Sequence, residues 1–596
     1  MSELLKKSLP LFASVALLAA CGNGGNNNDD SDKGSDDNDN TSSSTVEFEE
    51  TLDRGGEAAE GGELKYALVS DSPITGIYNS ALYQSTPDSE VLQFTAGDIF
   101  HVNDEIKFDN DGFAQFEVDE ENNTVTVTFP EDQKWSDGEP ITIDDYIFTH
   151  EFIADPDYPG IRYPTYVGDI EGADEFHSGD ADSISGIEKV NDQQVILHYK
   201  ALSPSIYIPG GQLLSMLLPK HVLEDIPMDE VEASDAVRGK TVDFGPYKID
   251  STVPGESVTL VANEYYWEGK PKIDKITVEV VSSSNVVSEM SSGKYDIAGM
   301  PADQYDTYKD SEDFDVLGTG SYSYNYLGFK LGKWDSEENK VVVDPDAKMA
   351  NKSLRQAMAY AVDNDQIAEK FYAGTRSNAN SLIPPVFAEN DGKEGYTYDP
   401  KKAEELLDEA GYKDTDDDGI REDPNGDPLT INYATMAGGQ NDETLALAYI
   451  QWWEKIGLKV ELTTGRPIEL NAFYEKVEAD DPEIDVYAAA WGASTDPDPA
   501  GLYGENVPFN YTRFASDENT KLLKEISSKE AFDADYRQKA FEDWQAYARD
   551  EAFAVPTLFR TSITAVSKRV KSYSVKAEDA LNGGHLWSNV ELVGEE

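Results

Sequence analysis

Apolar positions recur along this chain with two different spacings. The shorter one marks strands. Leu64-Lys65-Tyr66-Ala67-Leu68-Val69 and Thr124-Val125-Thr126-Val127-Thr128-Phe129 are rich in β-branched and apolar residues, as are Val195-Ile196-Leu197, the run from Ile273 to Val281, and Leu458-Lys459-Val460-Glu461-Leu462. Residues two apart share one face of a strand, and the strict alternation of the second segment predicts a sheet with one face buried. The longer spacing marks helices. Ala403, Leu406, Leu407 and Ala410 fall on one helical face, with Asp399 placed to cap, Pro400 at the first position and Gly411 as a left-handed stop. Leu445, Ala448, Tyr449, Trp452 and Ile456 make a second stripe that ends at Gly457, and its aromatic residues read as core. Strands and helices interleave from about residue 61 onward with no repeat and no long linker. That order predicts an α/β protein of at least two lobes.

The N-terminus follows different rules. Lys6 and Lys7 precede an apolar run from Leu9 to Ala20, too short for a membrane span of about 20 residues. Residues 1–20 therefore read as a secretory signal. Leu18-Ala19-Ala20-Cys21 resembles a lipobox, the bacterial signal for cleavage before a cysteine and its acylation, and Cys21 is the only cysteine of the 596 residues. Acyl chains such as palmitate hold a protein on a membrane at about 0.8 kcal/mol per buried methylene. A single cysteine leaves no disulfide and no cysteine-based metal cluster. Residues 21–60 are dominated by Gly, Asn, Asp, Ser and Glu, which predicts a disordered acidic tether suited to a Gram-positive cell surface.

Charge narrows the partners. The net charge is -68, and residues 1–60 hold 13 acidic and 4 basic side chains, so the body carries -59. Nucleic acid and anionic lipid would be repelled, and carboxylate pairs arise by chance in such a sequence. No enzyme motif is complete. His150-Glu151-Phe152-Ile153-Ala154 lacks the second histidine of a zinc protease. A nucleophile elbow and a phosphate-cradling loop are both missing, and Gly318-Thr319-Gly320 reads as a turn. The chain is expected to be no enzyme and to require no cofactor. One partial metal motif stands out: Asp414, Asp416 and Asp418 alternate before Gly419 like the first half of a calcium loop. Asn425 stands where that loop expects its bidentate Glu, with Glu422 and Asp423 as substitutes. A bound calcium there would stiffen the loop.

The segment from Val125 to Phe148 carries the most specific pattern. A strand leads into Trp135-Ser136-Asp137-Gly138-Glu139-Pro140, and Thr142 with Asp145 can cap the following helix. This closely resembles the signature of the family 5 solute-binding proteins, the peptide-binding components of ABC importers. Further blocks resemble the family in the same order: Gly245-Pro246-Tyr247 with Asn263 to Trp267, Gly293 to Ile297, Leu354 to Asp363, and Tyr398 to Tyr412. The resemblance covers about residues 61–590.

It implies a type II periplasmic-binding-protein-like fold of two lobes with an inserted third domain. The first lobe is expected at 61–85, 235–320 and 550–596, the insert at 86–234 and the second lobe at 321–549. Trp135 is expected to plug the insert. The implied function is capture of short peptides in an interlobe cleft outside the cell membrane, by a monomer anchored through Cys21 that delivers cargo to an ABC permease. The same fold with another cargo, an oligosaccharide or a metal chelate, is the alternative. In the family an aspartate after a tryptophan-bearing strand meets the peptide ammonium, which points to Asp496, with Asp498 as competitor. Trp491, Gly492 and Ala493 would offer main-chain pairing, and Val69 and Ser70 the facing strand. Tyr322, Tyr324, Asn325 and Tyr326 are candidate cleft-lining residues. Asn510 and Arg513 lie downstream, with Arg513 placed to meet a carboxylate.

Overall fold

Two strands are long enough to belong to more than one core. In the computed structural model, which describes residues 45–437, 441–492 and 494–594, Phe314–Phe329 runs for 16 residues and Ala554–Ser567 for 14. They pair antiparallel from Phe314 opposite Ser567 to Gly328 opposite Ala554, with register breaks between Gly320 and Tyr324 and between Asn325 and Tyr326. Leu317 and Val566 pack in one core with Leu64, Val258 and Trp587. Tyr326, Leu327, Val555 and Leu558 pack in another with Trp453 and Val486. The breaks therefore mark a waist between two lobes.

One 12-stranded sheet continues outward from this pair. In the second lobe Val486–Gly492 pairs antiparallel with Phe314–Phe329, and Thr430–Ala437 and Lys459–Leu462 follow in parallel. In the first lobe Ile297–Met300 pairs antiparallel with Ala554–Ser567, then Glu63–Val69 and Lys275–Val281 follow in parallel. Strand directions then point the carboxyl ends of Val486–Gly492 and of Glu63–Val69 toward the waist.

The third core belongs to the insert. Gln115–Asp119, Thr124–Thr128, Gln194–His198 and Ile187–Asn191 form a four-stranded antiparallel sheet, and Trp135 is completely buried against it. Gly138, at φ 95, donates its N–H to the Trp135 carbonyl at 2.9 Å to close the turn. The Asp145 carboxylate accepts the Thr142 N–H at 2.9 Å and fixes the start of the helix Ile143–Ala154. The helix Pro400–Ala410 has the expected ends, with Asp399 accepting the Lys402 N–H and Gly411 at φ 92. In the helix Asp442–Lys455 the expected Tyr449 and Trp452 are buried, as is Ile456 after it, and Ala446, Ile450 and Trp453 widen the buried stripe.

Several expected boundaries move. Residues 45–60 are part of the folded body, not of a tether: Thr51–Asp53 pairs with Val570–Ser574, and the Phe48 ring packs over Gly318, where a Cβ would fall 2.6 Å from it. Helix Thr86–Thr95 belongs to the first lobe, because Val91, Leu92 and Phe94 join the core of Leu64 and Trp587. Val237 and Phe244 join the insert core, so the insert ends later than 234. Residues 554–559 serve the second lobe before the strand crosses. The signal peptide, Cys21 and residues 22–44 lie outside the described residues. A chain shortened to begin at residue 61 loses Leu52 and Phe48 from their packing, and urea unfolding is expected to show it less stable by about 2–4 kcal/mol than one beginning at residue 45.

Candidate ligand cleft

Parallel strands leave unpaired polar groups at their carboxyl ends, and ligands of open α/β sheets settle there. Both lobes show such an edge. Trp491 and Gly492 pair on one side with Tyr324 and Ser323, but on the other side Thr430–Ala437 pairs only as far as Ala488. In Glu63–Val69 the side facing Ile297–Met300 pairs only through Ala67, so Leu68 to Ser70 are open there among the described residues.

After Gly492 the chain turns through a stiff loop. Ser494 Oγ accepts the Asp496 N–H at 3.0 Å, Asp496 Oδ1 accepts that of Asp498 at 3.0 Å, and Asp498 Oδ1 accepts that of Ala500 at 2.8 Å. The loop holds Thr495 out toward the insert, where its hydroxyl donates to the Pro209 carbonyl. Tyr207 of the insert meets Phe532 of the second lobe at 6.2 Å between ring centres. Beneath this contact lies a cavity of about 470 Å³, lined by Tyr83, Gln93, Asp98, Arg162, Tyr166 and Thr495 among others. A second cavity of about 240 Å³ lies behind the loop, among Leu382, Ile383, Pro384, Asp496, Asp498 and Tyr503.

The larger cavity carries both signs of charge. Asp98 projects into it, accepts the Ser215 hydroxyl at 2.6 Å, and has no ion-pair partner among the described residues. Surrounding protein raises its carboxyl above the usual range. Arg162 lies over the Tyr83 ring at 4.3 Å and donates to the Ala81 carbonyl at 3.1 Å. Burial, with the Asp98 charge second, pushes the Tyr166 hydroxyl up to about 12.

The middle region of the bacterial extracellular solute-binding proteins, family 5, matches residues 110–512. The oligopeptide-binding protein OppA of Lactococcus lactis subsp. cremoris is 34% identical over 513 residues, covering 84% of this chain and 85% of the relative. The chain belongs to family 5 of the bacterial extracellular solute-binding proteins. A structure of lactococcal OppA, complexed with an endogenous peptide in the closed conformation, superposes with a TM-score of 0.75 at 33% identity, covering 89% of this chain and all (100%) of that one. The oligopeptide-binding protein AppA from Bacillus subtilis, in complex with a nonapeptide, shares the fold at a TM-score of 0.66 and 21% identity, over 90% and 100% of the two chains. The fold is thus the expected two-lobed type II architecture, and the protein is extracytoplasmic by family.

Within this family member the expected site residues divide. Trp491, Gly492, Val69 and Ser70 stand at the two open edges, although Ser70 already donates its N–H to the Val281 carbonyl at 2.9 Å. Ala493 lies outside the described residues. Tyr322 is half-buried against Phe387, at 5.3 Å between ring centres. Tyr326 is corrected: it is 1% exposed in the second-lobe core. Tyr324 is equally buried, with its hydroxyl 2.8 Å from that of Tyr503, and it forms part of the wall of the smaller cavity. Strand parity turns Asn325 to the opposite face.

The charged candidates shift most. Asp496 reaches the smaller cavity, 3.5 Å from Arg537, so it is no free anion awaiting an ammonium. Burial raises its carboxyl against the pull of Arg537. Arg513 is 2% exposed and bound to Asp480 at 2.7 Å, with Lys330 on the same carboxylate; it cannot meet a ligand. Asn510 is buried and donates to the carbonyls of Gly504 and Phe514 at 3.0 and 2.8 Å, a packing role. The oxygens of Asp414, Asp416 and Asp418 lie within 4.8 Å of one another on the surface. Glu422 is turned away from them onto Thr415, at 2.7 Å from its hydroxyl. His150 is a core residue whose Nδ1 lies 2.8 Å from the Tyr146 carbonyl. The sequence reading missed Asp98 and Arg162, which sit in no motif, and also Arg560, a charge inside an apolar strand.

Asp498 gives the pocket a pH dependence. Burial, with Asp496 beside it, pushes its carboxyl up to about 6 from 3.8. A raised carboxyl keeps its proton in the fold while the unfolded chain has released it, so its contribution to stability is lost as pH rises from about 4 through about 6. Asp498→Asn is expected to gain about 1–3 kcal/mol over the parent across that window, measured by denaturant unfolding at pH 4 and pH 7.

Proposed function

We propose that this protein captures short peptides in the interlobe cleft and hands them to the permease of an ABC importer. The observation that carries the reading is the pair of open strand edges, one at Leu68 to Ser70 and one beyond Ala488, with their carboxyl ends directed at the waist. An extended peptide presents the same backbone donors and acceptors whatever its sequence, and it can add to both edges. Side chains then occupy the cavities of about 470 and 240 Å³, where water mediates without demanding one shape. The lactococcal relative, which bears the name of an oligopeptide-binding protein and holds an endogenous peptide, supports the same cargo here.

Asp98, without an ion-pair partner among the described residues and facing the larger cavity, takes the role expected of Asp496: it meets the peptide α-ammonium. The protein binds and releases its cargo without chemistry on it. It works as a monomer outside the cell membrane, held by acyl chains on Cys21. The -68 net charge keeps it away from nucleic acid and from anionic headgroups.

Native mass spectrometry of the protein, purified without refolding, tests the reading. Extra masses that sequence as short peptides are expected; a bare mass that stays bare after incubation with a random peptide pool contradicts it and leaves sugar or chelate cargo. In calorimetry, Asp98→Asn is expected to weaken peptides with a free ammonium by about 2–5 kcal/mol and to leave N-acetylated peptides unchanged.

A further inference from the structure

Burying a guanidinium without an anion is costly, and a chain with 116 acidic residues against 48 basic ones has carboxylates to supply at almost any site. The other enclosed arginines of the second lobe bear this out. Arg355 lies 3.7 Å from Glu551, Arg513 2.7 Å from Asp480, Arg537 3.4 Å from Glu389, and Arg549 2.9 Å from Asp391. Arg376 and Arg560 break the pattern. Neither has a carboxylate within 4.0 Å among the described residues. Both donate to one neutral acceptor, Asn325 Oδ1, at 3.1 and 3.0 Å.

Their position is the waist. Asn325 stands at the register break of the first crossing strand, and Arg560 follows Phe559, which pairs with Tyr324. Arg376 leads into Ser377–Asn378, which pairs with Phe559 and Leu558 of the second crossing strand, Ala554–Ser567, and its guanidinium lies over the Tyr372 ring at 3.5 Å. The turn Ala302–Gln304 of the first lobe packs on the helix Asn364–Tyr372 and on Ala554–Ser567. Each guanidinium uses a single N–H on Asn325, and none of the remaining nitrogens is sealed from solvent without a partner. Two forks are therefore held side by side by one oxygen, with most of their donors open. Burial lowers both arginines, Arg376 to about 10, which is the cost of leaving them unpaired. The Asp303 carboxylate of the first lobe acts on Arg376 from a distance.

We propose that Arg376 and Arg560, bridged by Asn325, form an anion receptor at the waist that binds a carboxylate of the captured peptide. The inference rests on the peptide reading and adds a selectivity to it. Paired guanidiniums match a carboxylate in a planar, bidentate way. In a body of -59 charge, which repels anionic ligands, this is where an acidic group gains from entering. Asn325 keeps the two cations apart without neutralising them, which a carboxylate at that position would do. The carboxylate is either the peptide C-terminus or an acidic side chain, and the two sources separate in one experiment.

The full chain, stripped of cargo, is offered equal pools of peptides built from Ala, Gly, Ser, Leu and Phe, as free acids and as amides. A third pool of amides carries one Glu, and a fourth has Gln in its place. Native mass spectrometry reads the loading. The parent is expected to favour the free acid over the amide, or the Glu over the Gln pool, by at least about tenfold; which ratio departs from one names the source. Arg376→Gln and Arg560→Gln are expected to lose that preference while the neutral amides load as before. Asn325→Asp keeps both arginines and supplies an internal carboxylate, so it is expected to lose the preference too, with an unchanged or raised melting temperature. Equal loading of all pools by the parent, or a preference that survives Asn325→Asp, overturns the receptor and leaves peptide capture standing. A parent that loads no pool, neutral amides included, removes peptide capture and the receptor with it.

Discussion

The ladder between Phe314–Phe329 and Ala554–Ser567 runs through both lobes, and a hydrogen-bonded ladder resists shear far more than it resists bending. Sliding or separating the lobes would break that ladder, and a rotation is expected where it is irregular, between Gly320 and Tyr324. The open strand edges, the paired arginines and the loop bearing Thr495 all stand at or near the waist, where a small rotation changes their distance to the opposite lobe. The N-terminal segment follows the same line: the Val46 N–H donates to the Gly374 carbonyl in the second lobe at 2.9 Å, and the Glu49 carbonyl accepts the Gly318 N–H of the crossing strand at 3.1 Å. A segment that reaches both lobes beside the waist does not oppose rotation there.

Few contacts hold the mouth of the cleft by comparison. The insert meets the second lobe through the Thr495 hydroxyl and the Tyr207–Phe532 ring pair. One net hydrogen bond is worth about 1 kcal/mol and an aromatic pair about as much. Contacts of that size are small beside the ladder at the waist. The acidic surface works in the same direction, because like-charged lobes do not stay closed on charge alone.

Much of the fold was legible because it depends on local chemistry. Asp137-Gly138 could only be a turn, Asp145 was spaced to cap, and Pro400 and Gly411 delimit a helix whose buried face follows from its apolar stripe. The site was less legible because it depends on which side of a strand a residue falls and on what lies across the waist. Of Tyr322, Tyr324 and Tyr326, the first lies within the break between Gly320 and Tyr324 and stays half-buried, while the next two enter the core. Asn325, between them, is turned to the arginines. Arg513 lies in a polar stretch and was expected to meet a ligand carboxylate, yet the carboxylate it meets is that of Asp480, 33 residues earlier. Asp98 follows a helix of the first lobe and meets the cavity only because the insert and the Thr495 loop close over it. Phe48 sits in a segment of tether-like composition, and a single aromatic residue with a short pairing strand is enough to fold it back.

Small-angle X-ray scattering of the protein, first stripped of cargo and then saturated with peptide, tests the hinge most directly. Rotation about the waist predicts a smaller radius of gyration in the loaded protein, with both lobes unchanged in themselves. An identical scattering curve for stripped and loaded protein, with loading verified by mass, would contradict closure around the crossing strands.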